Sequence, residues 1–262
     1  CFSLLLCFRF LYIKKFTFFY ILTSILLLAT SSVVFMSTGG TNFLLYSLLI
    51  LLLYDADIDV ILKTYVIVSG AIVLGVFVLS ILGVIPNLQF AQFRSAGLVI
   101  RNSFGFIYPT DFASHCFYLF IAWGYILRKR LIVLRTLVGL SLSFFIIKFC
   151  DARLNALSVL LATVIFILMY VTKERKFKIY GILPYFAAIF SFLMFYLSYF
   201  FTWSSPLFVS LNNLFSMRLF LGKNAIDTYD IHLFGTTGVK FIGYGGTTES
   251  VYSYNFVDSS YI

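Results

Sequence analysis

TYVIVSGAIVLGVFVLSILGVI, residues 64–85, runs for six turns of helix without a charged side chain. About 20 consecutive apolar residues are what an α-helix needs to cross the ~30 Å hydrocarbon core of a bilayer. The stretch is not isolated. Comparable runs lie at 16–37, 42–54, 111–127, 131–149, 154–171 and 179–202, the second being the shortest. The apolar residues are continuous rather than alternating over segments of ~10, so helices are expected and a transmembrane β-barrel is not.

Composition agrees. The chain of 262 residues is 61% hydrophobic and only 11% charged, against about 25% charged residues in a soluble domain. The expected fold is all-α: a polytopic helical membrane protein with about seven full spans and a partial one, forming one integral membrane domain over 1–262. Residues 1–13, CFSLLLCFRFLYI, read as the tail of a helix, and the last residues as part of an unclosed polar region. The chain is therefore expected to be a fragment.

The net charge of +9 does not point to nucleic acid, because the cations form no surface patch. Arg9, Lys14, Lys15, Lys63, Arg128, Lys129, Arg130, Arg135, Lys173, Arg175, Lys176 and Lys178 all fall on one side of the predicted spans. By the excess of Lys and Arg in cytoplasmic loops, that side is cytoplasmic. The acids of DADID, 55–59, share it. Cys1, Cys7, Cys116 and Cys150 lie in or beside apolar runs without CxxC spacing, as buried structural thiols do.

Arg94, Arg101, Lys148, Arg153, Arg218, Lys223 and Lys240 remain, all on the outer side. Polar sequence gathers there too, in a first extracytoplasmic loop at 86–110 and the start of a much larger one at 203–262. Charged groups near membrane depth are costly and tend to be functional. If FRSAGLVIRNS is helical, Arg94 and Arg101 share a face beside Gly97 and suit phosphate oxygens. An interfacial helix with snorkelling arginines is the plainer alternative. In GFIYPTD, Pro109 turns Tyr108 away from helix and Thr110 or Asp111 can cap the next span; His115, one turn on, reads as a buried histidine. KFCDARLN supplies Lys148, Asp151 and Arg153, with Asp151 expected to pair with a neighbouring cation. Residues 214–235 supply Arg218, Lys223, Asp227, Asp230 and His232, on an amphipathic surface helix followed by a glycine-rich loop. GTTGVKFIGYGGTT lacks the GK[ST] ending of a phosphate-binding P-loop, and no metal-ligand spacing or cofactor motif is present. Four outer arginines with few acidic competitors fit a multiply charged lipid anion.

RNSFGFIYPTDFA also resembles the R-x-S-x-G-F-x-H/Y-P segment of Wzy-type polysaccharide polymerases, the O-antigen polymerase and ligase-like membrane proteins of capsule and exopolysaccharide clusters. DARLNALSVLL, NNLFSMRLFLGKNAIDTYDIHLFG and YNFVDSSYI follow in the same order, so the resemblance covers about 85–262. Two positions depart from it: Met217 where a small residue is expected before Arg218, and Tyr108 where many members have His. The resemblance implies an inverting glycosyltransferase without a metal or other cofactor, in the bacterial cytoplasmic membrane. A growing glycan would leave polyprenyl (undecaprenyl) pyrophosphate for a sugar hydroxyl on a lipid-linked oligosaccharide repeat. The implied partners are that lipid-linked oligosaccharide, membrane lipid, a chain-length regulator and a flippase.

Arg101, Arg153 and Arg218 are expected to stabilise the departing pyrophosphate, with Arg94, Lys223 and Asp151 in substrate binding. His232 is the first candidate general base, ahead of Asp258 and Asp151; Tyr244, Tyr252 and Tyr254 could stack on sugars. The competing functions are an O-antigen ligase-like glycan transfer, a lipid-linked oligosaccharide flippase without chemistry, and an accessory scaffold.

Overall fold

The computed structural model describes residues 17–94, 97–128, 131–172, 183–215, 217–232 and 234–239. The protein is mostly helical. Four helices, Phe18–Thr38, Ile58–Ile81, Ile132–Cys150 and Arg153–Val171, are long and apolar enough to cross a membrane, and most of their apolar surface is exposed. Lipid, not water, is the solvent that suits such surfaces.

The other predicted spans are helical as well, but shorter or more polar. Asn42–Leu52 and Leu183–Tyr199 are the observed forms of 42–54 and 179–202. Pro109–Ile126 corresponds to 111–127, and Thr110, Asp111, Ser114 and His115 dilute its first two turns. The predicted span 64–85 begins earlier, at Ile58, because Asp57 caps it: its Oδ1 accepts from the Asp59 amide at 2.8 Å. It ends at Ile81, where Gly83 takes φ 75°. The Val84 amide then donates to the Leu79 carbonyl at 2.9 Å, satisfying an end carbonyl. Lys63 thus sits inside a helix, not in a loop.

In order, the described elements are α1 (Phe18–Thr38), α2 (Asn42–Leu52), α3 (Ile58–Ile81), β1 (Gln89–Arg94), β2 (Gly97–Asn102), α4 (Pro109–Ile126), α5 (Ile132–Phe145, prolonged by a π-helical turn Ile146–Cys150), α6 (Arg153–Val171), α7 (Leu183–Tyr199), α8 (Pro206–Leu214) and α9 (Arg218–Tyr229). They fall into two compact units, Asp57–Phe177 and Cys1–Ala56 with Lys178–Ile262.

In the first unit, α3 to α6 pack side by side around Phe112, Ala113, Phe120, Ile146, Ala156 and Val159. Helices in lipid associate by close packing of small residues and by hydrogen bonds between helices. Both devices are present. Added methyl groups at Gly124 and Gly139 would collide with Phe166 and Thr163 respectively, and the Ser143 hydroxyl on α5 donates to the Ala156 carbonyl on α6 at 3.1 Å. Above this core Phe77, Phe104, Phe112, Phe145 and Phe149 form an aromatic floor, with ring centroids 4.8 Å apart for Phe145 and Phe149 and 5.2 Å for Phe104 and Phe112.

The helical expectation for 94–101 is corrected. The strands β1 and β2 form an antiparallel hairpin with Arg101 opposite Phe90 and Arg94 opposite Gly97, which turns at φ 115°. Arg94 is four residues from the position facing Arg101, about 13 Å along a strand. The two do not make the adjacent pair that two helical turns would give. Among the described residues the fold is therefore helical with one two-stranded sheet.

In the second unit, α1 and α2 form a helical hairpin through Gly39 at φ 71°. The Tyr20 hydroxyl donates to the Leu51 carbonyl at 3.1 Å and ties the pair. Helices α7 and α9 enclose Met194, Phe201 and Leu219. The joint between α8 and α9 turns on buried Asn212, whose Oδ1 accepts from the Phe220 amide at 3.0 Å. It also turns on Met217, which holds φ 68°.

Candidate functional site

A helix leaves its last four carbonyls without intrahelical donors. At the end of α5 two of these carbonyls are met from the hairpin. Arg101 donates through Nε to the Cys150 carbonyl at 3.0 Å, and Asn102 donates through its side-chain Nδ2 to the Phe149 carbonyl at 3.2 Å. Arg101 is steadied in turn by Gln92, whose Oε1 accepts from Nη1 at 3.2 Å. Asn102 Oδ1 accepts from the side-chain amides of Asn87 at 3.0 Å and Gln89 at 3.1 Å. A guanidinium at a helix C-terminus is also favoured by the helix dipole.

The chain reverses immediately. Asp151 takes φ 44°, Ala152 follows, and α6 starts at Arg153. Arg153 Nε donates to Asp151 Oδ1 at 3.1 Å, as the sequence led us to expect of this carboxylate. The Arg153 side chain is 65% exposed and that of Asp151 8%. A buried carboxylate therefore holds one edge of an outward guanidinium. Two of the three arginines predicted to bind pyrophosphate, Arg101 and Arg153, are thus anchored on one turn, residues 150–153.

Two helix N-termini open beside that turn. Asn155 in the first turn of α6 donates to the Ser114 hydroxyl at 2.8 Å, in the second turn of α4. Both helices direct the positive ends of their dipoles to this end of the unit, where anions are favoured. Asp111 and Asp151 offset part of that charge.

The opposite end is defined as clearly. Asp59 at the start of α3 receives both outer nitrogens of Arg128, just past α4, at 2.9 and 3.1 Å. Arg128 also lies over the Tyr125 ring, 4.4 Å from its centroid. Within this unit Arg128 and Arg135 lie at one end, and Arg101 and Arg153 at the other.

Several expectations are corrected. Helix α4 begins at Pro109 with Tyr108 as its N-cap and no side-chain cap bond, so Asp111 is a first-turn acid and not the cap. His115 is exposed, its ring 5.3 Å from that of Phe106, and is not buried. Cys150 is buried, as expected, and Cys116 partly so; both are free thiols.

Arg218, Lys223 and His232 belong to the second unit. Arg218 opens α9 and is half-buried. Lys223 pairs with Asp227 at 2.8 Å and lies 5.5 Å from the centroid of Tyr199. His232 is exposed in the segment after α9, where its carbonyl accepts from the Gly235 amide at 3.0 Å. The αL backbone of Met217 explains why a small residue is expected before Arg218: only glycine adopts this conformation without a Cβ penalty. Lys240, Tyr244, Tyr252, Tyr254, Asp258, Cys1 and Cys7 lie outside the described residues, as does the side chain of Arg94.

Sequence reasoning missed Arg135. Counted as a loop cation, it is buried on α5, where Nη1 donates to the Gly124 carbonyl at 3.1 Å and Nη2 to the Arg128 carbonyl at 3.4 Å. It caps the end of α4 while lying 5.2 Å from the centroid of the Phe166 ring. Gln92 and Asn102 also went unremarked, and only the hairpin register reveals their part. Among the described residues no group of three or more His, Cys, Asp or Glu side chains is placed to hold a metal ion.

Comparison with models of protein families, with curated proteins and with solved structures finds no match in any of the three.

Proposed function

We propose that the protein is a Wzy-type polymerase that joins lipid-linked oligosaccharide repeats at the outer face of the bacterial cytoplasmic membrane. One observation carries the proposal furthest: Arg101 and Arg153 are fixed on the same turn, beside the N-termini of α4 and α6, at the end of the unit away from Asp59 and Arg128. Leaving pyrophosphate develops negative charge, and pre-positioned guanidinium groups stabilise it without reorganising during the reaction.

In this reading the remaining helices complete about seven spans, 86–110 and 203–262 are extracytoplasmic, and the polyprenyl tail stays in lipid. Arg101 serves first as a rigid support, because its Nε is engaged by the Cys150 carbonyl. Arg153 presents the more accessible edge. Arg94, Arg218, Lys223 and Asp151 in substrate binding, and His232 as general base, retain the roles implied by the motif order.

The test uses vesicles carrying the full-length protein and pre-formed repeats linked to undecaprenyl pyrophosphate on the accessible leaflet. Polymer should form, and Arg153→Ala should leave single repeats. A flippase would be idle with substrate already on that face. A ligase would need a different acceptor. No polymer from wild-type protein in this assay would refute the proposal.

A further inference from the structure

We infer that the β1–β2 hairpin is a membrane-interface element whose outward face rests in the headgroup region of the same bilayer that its helices cross. The inference is independent of any glycosyl transfer. Residues paired directly across an antiparallel ribbon point to the same side. The register therefore puts Phe90, Gln92, Val99 and Arg101 on one face, and Ala91, Leu98 and Ile100 on the other.

The first face is engaged with the protein: Arg101 with Cys150 and Gln92, and Phe90 with Tyr108, whose ring centroids are 5.7 Å apart. The second face meets the protein only at its far end, where Asn102, paired with Gln89, reaches the Phe149 carbonyl; nearer the turn it is open, Leu98 being 55% and Ile100 54% exposed. Flanking turns add Leu82 and Val84 at 69% each and Ile107 at 65%. So much exposed aliphatic surface on a short polar-ended connection is poorly suited to water.

Two constraints fix the depth. Helix α3 has 24 residues, about 36 Å at 1.5 Å per residue, which exceeds the ~30 Å hydrocarbon core. Its end and the ribbon that follows therefore emerge at headgroup level. Among the described residues the sheet has two strands, so both outer edges carry backbone groups that no third described strand pairs. Such edges are not tolerated in the hydrocarbon core, where water is absent. An apolar face that avoids water and polar edges that need it meet only at the interface.

The full chain, with Trp123→Phe and Trp203→Phe removing its native tryptophans, would receive Leu98→Trp or Ile100→Trp. Each would be reconstituted in phosphatidylcholine vesicles brominated either near the ester end or near the methyl end of the acyl chains. For a depth of roughly 5–10 Å, ester-end bromine should quench each reporter well above methyl-end bromine, with blue-shifted emission. Water-like emission, quenched by aqueous iodide and by neither lipid, would overturn the inference, as would stronger quenching by methyl-end bromine. The two reporters are independent, so a variant that fails to fold leaves the other to decide.

Discussion

Arg101 donates through Nε to the carbonyl of Cys150, 49 residues away in sequence, at 3.0 Å. This bond makes Arg101 a helix cap as well as a candidate ligand, whereas Arg153 rests on Asp151 from an exposed position. The two should separate experimentally. Arg101→Ala leaves a helix-end carbonyl without its donor and should cost about 1–3 kcal/mol. Arg153→Ala removes an exposed guanidinium from a buried carboxylate and should cost about 1 kcal/mol, less than Arg101→Ala. Thermal unfolding in detergent measures both, and equal losses would count against the division of roles.

Asp59 and Arg128 lie at the end of the unit opposite Arg153. Single cysteines at Asp59 and Arg128 should react with an impermeant maleimide only from the cytoplasmic side, and one at Arg153 only from outside. Labelling all three from one side would contradict the arrangement.

Gly139 meets Thr163 and Phe120 across the α5–α6 and α4–α5 contacts. Gly139→Ala should destabilise by about 1–3 kcal/mol, the usual cost of overpacking. Thr163→Ala in the same chain should recover part of that loss by removing the hydroxyl in its way. A double-mutant cycle on unfolding temperature detects this coupling, and additive effects would exclude the contact.

Met217 holds a left-handed backbone that costs an L-residue about 1–2 kcal/mol, against glycine's extra chain entropy of roughly 0.5–1 kcal/mol. Met217→Gly should therefore be slightly more stable, by about 0.5 kcal/mol, despite losing the contact between Sδ and the Asn212 amide. Met217→Ala should bring no gain. A gain with alanine instead would place the strain in the side chain.

Much of the helical layout was legible because continuous apolar length is a strong signal, and DAR in KFCDARLN was short enough to force a reversal. The start of α3 was misplaced because DADID looked like a loop, although Asp57 was acting as a cap. The hairpin was missed because Arg94 and Arg101 invited a helical spacing. QFAQFR and GLVIRN, the second opened by Gly97, were the signal for strands, with Val99 and Ile100 the β-branched residues. Arg135 was read as a loop cation because charge counting cannot see that the end of α4 offers it two carbonyls. The pairing of Arg101 with Cys150 joins residues far apart in sequence, and no local pattern encodes it.

The most direct measurement is the polymer-length profile formed by Arg153→Ala from pre-formed lipid-linked repeats, on protein whose unfolding temperature matches wild type. Loss of an electrostatic ligand to the departing pyrophosphate should slow polymerisation about 100-fold or more, leaving single repeats on the lipid. Wild-type chain length at a wild-type rate would contradict the claim that this turn binds the leaving group.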